Sequence, residues 1–197
     1  GLAMHPKGTT IITCDSGGKI LTWDTKSHKL LDHTMLKHAV RTVAFAPDGT
    51  KVVAGCDDGT VIVLDTQHYR SLQQMSHTAA TITVAKFSSD GSRLTVGTVD
   101  GSLYIMNTVV SATTEGDTGA DDGDDDGQES ETGFSLIATC AGHEGSVSNI
   151  DFSTDGTVLQ SNSTAGELMY WDVENGARIT DMARIKTKEW ASWTCIY

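Results

Sequence analysis

Short runs of mainly apolar residues, each about five or six residues long, recur along the whole chain and are separated by turn residues. In the run over 40–45, Val43 and Phe45 are two residues apart, so both side chains point to one face of a strand. The run over 61–64 is apolar throughout, as in a strand buried on both faces, whereas the run over 69–75 is more polar. Spacing and composition predict an all-β protein built from units of four antiparallel strands, in which the inner strands are buried and the outer strand is exposed to solvent.

A fixed spacing of turn residues repeats this unit four times. A glycine is followed ten residues later by a second glycine, and six residues after that by Asp or Asn. The four sets are Gly8, Gly18 and Asp24; Gly49, Gly59 and Asp65; Gly91, Gly101 and Asn107; and Gly156, Gly166 and Asp172. Four-stranded units with a period of about 40 residues are typical of β-propeller blades.

This period sets the predicted blade boundaries. The first blade covers 1–37 with a truncated opening strand, the second 38–76, the third 77–141 and the fourth 142–185, while the tail over 186–197 is predicted to open a further blade. About four blades are fewer than the roughly seven for which we expect the ring to be built. We therefore expect an incomplete ring whose remaining blades come from the same polypeptide or from another chain.

An acidic insert lies between the third and fourth strands of the third unit, at about 111–133. Nine carboxylates fall between Glu115 and Glu131, and without them the formal net charge of −12 would be near −3. This composition cannot repay the entropy of ordering, so we predict a disordered loop. The remainder carries no basic patch, so nucleic acid is not an expected partner. No apolar run approaches about 18 residues, so a membrane is not expected either.

Few residues are candidates for chemistry. Asp122, Asp124 and Asp126 reproduce the first half of an EF-hand calcium loop, but the twelfth position is Gly133 instead of Glu, which makes them a weak metal candidate. The four cysteines lack metal-ligand spacing and are predicted to be reduced thiols. No catalytic motif or cofactor fingerprint occurs, so we predict a non-catalytic protein without a cofactor.

Dipeptides at the ends of the units relate them to a known repeat. They are Gly142-His143 at the start of the fourth unit, Trp171-Asp172 and Trp23-Asp24 at the ends of the fourth and first, and the degenerate Leu64-Asp65 and Met106-Asn107. The chain therefore resembles WD-repeat propellers, in which His, Ser or Thr, Asp and Trp form a hydrogen-bonded network that fixes each blade.

The resemblance to that network is incomplete. Asp58 and Asp100 occupy the carboxylate position of the second and third units, but Ala165 occupies it in the fourth. His38 and His77 are out of register with His143. We therefore expect that no unit assembles the full network.

Longer segments narrow the resemblance. Residues 1–6, 159–163, 167–171 and above all 189–195, with the sequence EWASWTC, are similar to the later propeller of echinoderm microtubule-associated protein-like proteins. The resemblance implies a scaffold from a cytoplasmic, cytoskeletal protein with tubulin or microtubules as partners. A general WD-repeat adaptor for other proteins is an alternative, and a propeller enzyme or calcium-binding module is a further one with less support.

Overall fold

The computed structural model describes residues 1–108 and 133–195. Within these ranges it contains fifteen β-strands and one short helix. The strands are β1 (Leu2–Met4), β2 (Thr10–Cys14), β3 (Lys19–Asp24), β4 (Leu30–Met35), β5 (Val40–Phe45), β6 (Lys51–Cys56), β7 (Thr60–Asp65), β8 (Ser71–Ser76), β9 (Ile82–Phe87), β10 (Arg93–Thr98), β11 (Leu103–Asn107), β12 (Ser135–Cys140), β13 (Val147–Phe152), β14 (Val158–Ser163) and β15 (Leu168–Asp172). The helix is α1 (Met182–Lys186).

The strands form four antiparallel sheets in chain order, which we call blades. The first three blades are β1–β4, β5–β8 and β9–β12, and the fourth has three described strands, β13–β15. Contacts of β1 with β5, β5 with β9 and β9 with β13 place the opening strands at the inner side of an array that is not a closed ring. These findings confirm the predicted all-β class and the incomplete propeller. Each blade lies inside one predicted range, and the outer limits of those ranges stay a prediction.

Glycine and aspartate build the turns between the strands. Gly59 has a φ of 80°, and a Cβ there would lie 2.1 Å from the carbonyl oxygen of Thr78, so a larger residue would be strained and would not fit. In the preceding turn, the Asp48 carboxylate accepts the Thr50 backbone N–H at 2.9 Å. Asp155 repeats this geometry in the fourth blade. Local hydrogen bonds of this kind explain why the spacing of the turn residues is so regular.

The apolar cores lie in the seams, by which we mean the spaces between neighbouring blades. Val52 and Leu64 lie on the face toward the first blade, whereas Val53 and Val63 lie on the face toward the third, and all four are fully buried. The third strand of this blade is therefore buried on both faces, as predicted, while β4 and β8 are mainly exposed. Each blade depends on its neighbours to bury its faces.

After β15 the chain covers the fourth blade. Arg178 forms a single antiparallel bridge to Trp171, and α1 comes next along the chain. Ile179 and Ile185 then pack on Val158. Val158 and Leu159 are neighbours in β14, so their side chains point to opposite faces of the blade. Leu159 faces the third blade, so the cluster of Val158, Ile179 and Ile185 lies on the outward face.

The tail beyond α1 runs along the edge of β13. Trp190 forms an antiparallel bridge with Ser153, and the Ala191 backbone N–H donates to the Phe152 carbonyl at 2.9 Å. The described part of the tail, 187–195, forms no strand longer than this bridge. The expected opening strand over 186–197 is therefore not seen there, because these residues bond to the fourth blade. Its assignment to a further blade stays a prediction.

Candidate protein-interaction surface

The fourth blade contains a complete four-residue polar network around His143. The Trp171 indole N–H donates to Ser161 Oγ at 2.8 Å, and the same hydroxyl lies 2.7 Å from His143 Nε2. His143 Nδ1 lies 3.0 Å from a Glu167 carboxylate oxygen. Because a carboxylate only accepts, the hydrogen on Nδ1 donates to Glu167.

The expectation that no unit assembles this network is therefore wrong for the fourth blade. Ala165 supplies no acceptor, but Glu167, two residues further along the same turn, reaches the ring with its longer side chain. A hydrogen bond from Ser163 Oγ at 2.7 Å, together with weaker ones from His143 and the Glu144 backbone, holds the pKa of Glu167 below its ordinary value. The carboxylate thus stays charged and fixes the ring.

The second blade holds part of the same arrangement. His38 Nδ1 lies 2.7 Å from Asp58 Oδ2 although His38 is out of register in the sequence, and Gln74 contacts the other ring nitrogen at 3.2 Å. Asp58 also accepts the Thr60 backbone N–H. Leu64 replaces the Trp and is fully buried, so an apolar contact stands where the fourth blade has a hydrogen bond.

The remaining motif residues form local contacts. Asp100 accepts the Thr98 hydroxyl inside its own turn, while His77 stacks on Tyr104 with ring centroids 6.3 Å apart. In the first blade, the Trp23 indole N–H donates to Thr13 Oγ1 at 3.0 Å. The first and third blades thus keep fragments of the network.

Gly142 and the strand-end aspartates have structural explanations. Gly142 lies against the Trp171 ring, where a Cβ would be 3.2 Å from the indole edge. Asp24 accepts the backbone N–H groups of Lys26 and Ser27, which closes its turn. Asp172 accepts the guanidinium of Arg184 from α1 at 2.6 Å. The structure therefore places these predicted residues in turns and caps that hold the blades.

Two aromatic rings in the seams occupy equivalent positions and were not predicted. Tyr69 and Phe134 both lie at the turn before an outer strand, and both are 8% exposed. The Tyr69 hydroxyl lies 2.7 Å from Thr22 Oγ1 in the first blade. The Gln73 amide of the second blade bonds both the N–H and the C=O of Phe134, at 2.8 and 3.1 Å. The same register relative to β8 and β12 is the signal that could have revealed them.

A buried carboxylate, Asp151, fixes the tail and was also missed. It accepts the Thr194 and Cys195 backbone N–H groups at 2.8 and 2.9 Å and the hydroxyls of Ser192 and Thr194. Burial raises the pKa of Asp151, but these hydrogen bonds together outweigh burial, so its pKa lies below the ordinary value. An Asp among apolar residues of a predicted inner strand is the available sequence signal.

The ends of the inner strands and the tail line an open cavity of about 380 Å³. Met4, Phe45 and Phe87 contribute apolar walls, and Lys86 and Ser192 contribute polar groups. We call this region the channel-mouth surface. Its residues come from three blades and the tail, so only the folded array brings them together.

Comparison with known proteins identifies the family. The family model described as the echinoderm microtubule-associated protein second β-propeller matches residues 1–197. The chain belongs to this family. This confirms the resemblance inferred from 189–195 and the other segments.

Relatives of this second propeller are distant in sequence. The chain is 29% identical over 197 residues to echinoderm microtubule-associated protein-like 3 of Mus musculus, covering all of this chain and 20% of that protein. It is 28% identical over 194 residues to the 77 kDa echinoderm microtubule-associated protein of Strongylocentrotus purpuratus, covering 98% and 26%. Human echinoderm microtubule-associated protein-like 2 is 26% identical over 196 residues, covering 100% and 27%. The chain thus spans about a fifth to a quarter of the length of these relatives.

The other reactive groups of this second propeller are its metal-ligating side chains and its cysteine thiols. Within 1–108 and 133–195, no cluster of three or more His, Cys, Asp or Glu is arranged to hold a metal. The candidates Asp122, Asp124 and Asp126 lie outside the described residues. Burial raises the pKa of the Cys56, Cys140 and Cys195 thiols to about 12. No described helix is long and apolar enough to cross a membrane.

Proposed function

We propose that this second propeller is a non-catalytic scaffold that contributes to tubulin or microtubule binding by a cytoplasmic, cytoskeletal protein. The observation that carries the proposal is the family match over the whole chain, together with relatives named as microtubule-associated proteins. Function on a propeller depends on surface residues, so the fold alone would not support this assignment.

The channel-mouth surface is the part of the chain that we assign to this contact. It combines exposed turns from several blades with apolar walls and the half-buried cation Lys86. A cation in this position suits an acidic partner such as tubulin. The acidic insert carries nine carboxylates and would oppose the same partner by like-charge repulsion.

Co-sedimentation of the full-length protein with microtubules tests the proposal, with gel filtration against tubulin dimers as a second measurement. We expect Lys86→Glu to weaken binding, since it removes a favourable charge and adds a repulsive one. Deletion of residues 111–133 should strengthen binding, most clearly at low salt. Lys29→Glu, at an exposed position beside an outer strand, is the matched control and should change nothing.

Failure of the full-length protein to bind either microtubules or tubulin dimers would contradict the proposal and favour a general WD-repeat adaptor. Binding that is unaffected by Lys86→Glu would contradict the assignment to the channel-mouth surface. The proposal that the protein is a microtubule-binding scaffold would still stand.

The first blade supports a further part of the proposal, that additional blades complete the ring. Its outward face presents Leu2, Met4 and Met35, which are 67%, 58% and 64% exposed. Trp23 occupies the same register position as Leu64 and Trp171, which each pack on the preceding blade, and yet Trp23 is only half-buried. A preceding blade would bury Trp23 in the same way.

A further inference from the structure

The seam between the second and third blades opens into a groove of about 230 Å³ on the face that carries the turns after the inner strands. Its apolar floor is formed by Ala46, Phe87 and Phe134, and the two rings meet edge to face with centroids 6.5 Å apart. Asp48 and Asp90 line it together with Lys51. Phe87 and Phe134 are each 8% exposed, so packing in the seam holds both rings in place at the bottom of the groove.

The seam between the first and second blades contains a ring that the described residues do not place in this groove. There His5 stands three residues before the turn glycine, and its ring meets Phe45 edge to face at 5.1 Å. The ring also lies against Gly49, where a Cβ would be 2.4 Å from His5 Nε2. A protein side chain therefore fills this first seam.

Ala46 takes the place of His5 in the second seam, while Phe87 and Gly91 repeat Phe45 and Gly49. Among the described residues, a Cβ at Gly91 would meet Pro47 alone, at 3.4 Å. The groove is thus the space that a ring occupies one blade earlier. It is smaller than a typical small-molecule site of about 300–1,000 Å³, so it suits one side chain of a larger partner.

The charge around the groove favours a cationic neighbour for that side chain. Hydrogen bonds from Ser88 and Ser92 hold the pKa of Asp90 below its ordinary value, and those from Thr50 do the same for Asp48 against the opposing effect of burial. Two carboxylates face one lysine, so the lining is net negative.

We propose that this groove binds a peptide segment of a partner protein in which an aromatic side chain is flanked by Lys or Arg. The aromatic ring lies on Phe87 beside Ala46, where aromatic pairs gain from edge-to-face contact. The flanking cations lie near Asp48 and Asp90. The groove adjoins the channel-mouth surface at Pro47 and Phe87, but Ala46, Lys51 and Asp90 line the groove alone, so variants there test this inference separately from tubulin binding.

Fluorescence anisotropy with the intact protein and three labelled peptides tests this. We expect Gly-Lys-Phe-Lys-Gly to bind, and Gly-Lys-Ala-Lys-Gly and Gly-Glu-Phe-Glu-Gly to bind about tenfold more weakly or not at all. Equal affinity for the Phe and Ala peptides would overturn the proposal, since the groove would then not recognise a ring.

Two variants locate the binding. Ala46→His places the ring of the first seam into the groove and should lower the affinity of the Phe peptide by about tenfold. Lys51→Glu makes the lining more negative and should raise that affinity severalfold at low salt. Thr10→Glu is the matched control, because Thr10 is the residue of the first blade that corresponds to Lys51.

Thr10→Glu should leave peptide affinity unchanged. Urea unfolding shows whether Ala46→His remains folded, and Lys51→Glu keeps the proposal testable if it does not. An affinity that Lys51→Glu leaves unchanged, or that Thr10→Glu raises equally, would overturn the assignment to this groove.

Discussion

The first and fourth blades share one strand plan, and each has one face that no other described blade covers. These are opposite faces of the plan, because the first blade is left open on its preceding side and the fourth on its following side. In the first blade, Leu2, Met4 and Met35 are mainly exposed and Trp23 is half-buried. In the fourth blade, Val158 on the outward face is fully buried under residues of α1 and the tail. The difference lies in the chain segments that adjoin each blade, since both faces are built from the same kind of sheet.

The cover on the fourth blade is held by polar as well as apolar contacts. The ring centroids of Trp190 and Tyr170 are 6.0 Å apart. Asp151 accepts hydrogen bonds from the backbone N–H groups of Thr194 and Cys195. Hydrogen bonds to a buried carboxylate are among the stronger ones in proteins. The comparison indicates that an apolar blade face can be closed by a short tail as well as by another blade.

The largest expected effect comes from a matched pair of tryptophans. Trp171 is 1% exposed between the third and fourth blades, so Trp171→Ala should cost about 3–5 kcal/mol of unfolding free energy. Trp23→Ala removes the same side chain from the half-buried outward face and should cost less than half as much. Urea unfolding followed by circular dichroism measures both. Equal losses would mean that the first blade's outward face is buried after all.

A second test breaks the cover on the fourth blade. Asp151→Asn keeps the shape but removes the charge and replaces one of the two oxygens that accept the backbone N–H groups and the hydroxyls with an NH₂ group. We expect a loss of about 2–3 kcal/mol, measured by urea unfolding at neutral pH. Asp15→Asn is the control, because Asp15 is an exposed turn residue whose role an Asn can take over.

The pH dependence gives this test a sign. The pKa of Asp151 is lower in the folded protein than its ordinary value, so its contribution is complete above the unfolded pKa and is lost as pH falls through the folded pKa. The difference between the wild type and Asp151→Asn should therefore be constant above about pH 5 and shrink below about pH 4. A difference that stays constant down to about pH 3 would show that the charge of Asp151 is not what holds the tail.

The sequence predicts the regular parts of this comparison and misses the long-range ones. Turn glycines and strand alternation are local, so they reveal the blades and the burial of strands such as β7. Asp151 and Thr194 are 43 residues apart, and Gln73 and Phe134 are 61 apart, so their contacts depend on the folded arrangement.

The fourth-blade network illustrates the same limit at short range. Counting positions identifies Ala165 as the residue without an acceptor, but it does not show that Glu167 reaches His143 from two residues further on. Side-chain length and the path of the turn decide that contact, and a spacing pattern contains neither.

The smallest expected effect concerns the uncovered face. Leu2 is 67% exposed, so Leu2→Gln in the 197-residue chain should change the unfolding free energy by no more than about 0.5 kcal/mol. Val43→Gln is the matched control, because Val43 holds the register position of Leu2 in the second blade and is 5% exposed in a seam, and it should cost about 2–3 kcal/mol.

The same substitution in the full-length protein separates the two kinds of cover. If a preceding blade packs on the first blade's outward face, Leu2→Gln becomes a buried substitution there and its cost rises toward that of Val43→Gln. Thermal unfolding of the full-length protein with and without the substitution measures this rise. A cost that remains as small as in the isolated chain would mean that no blade covers Leu2, and the proposal that further blades complete the ring at this face would fail.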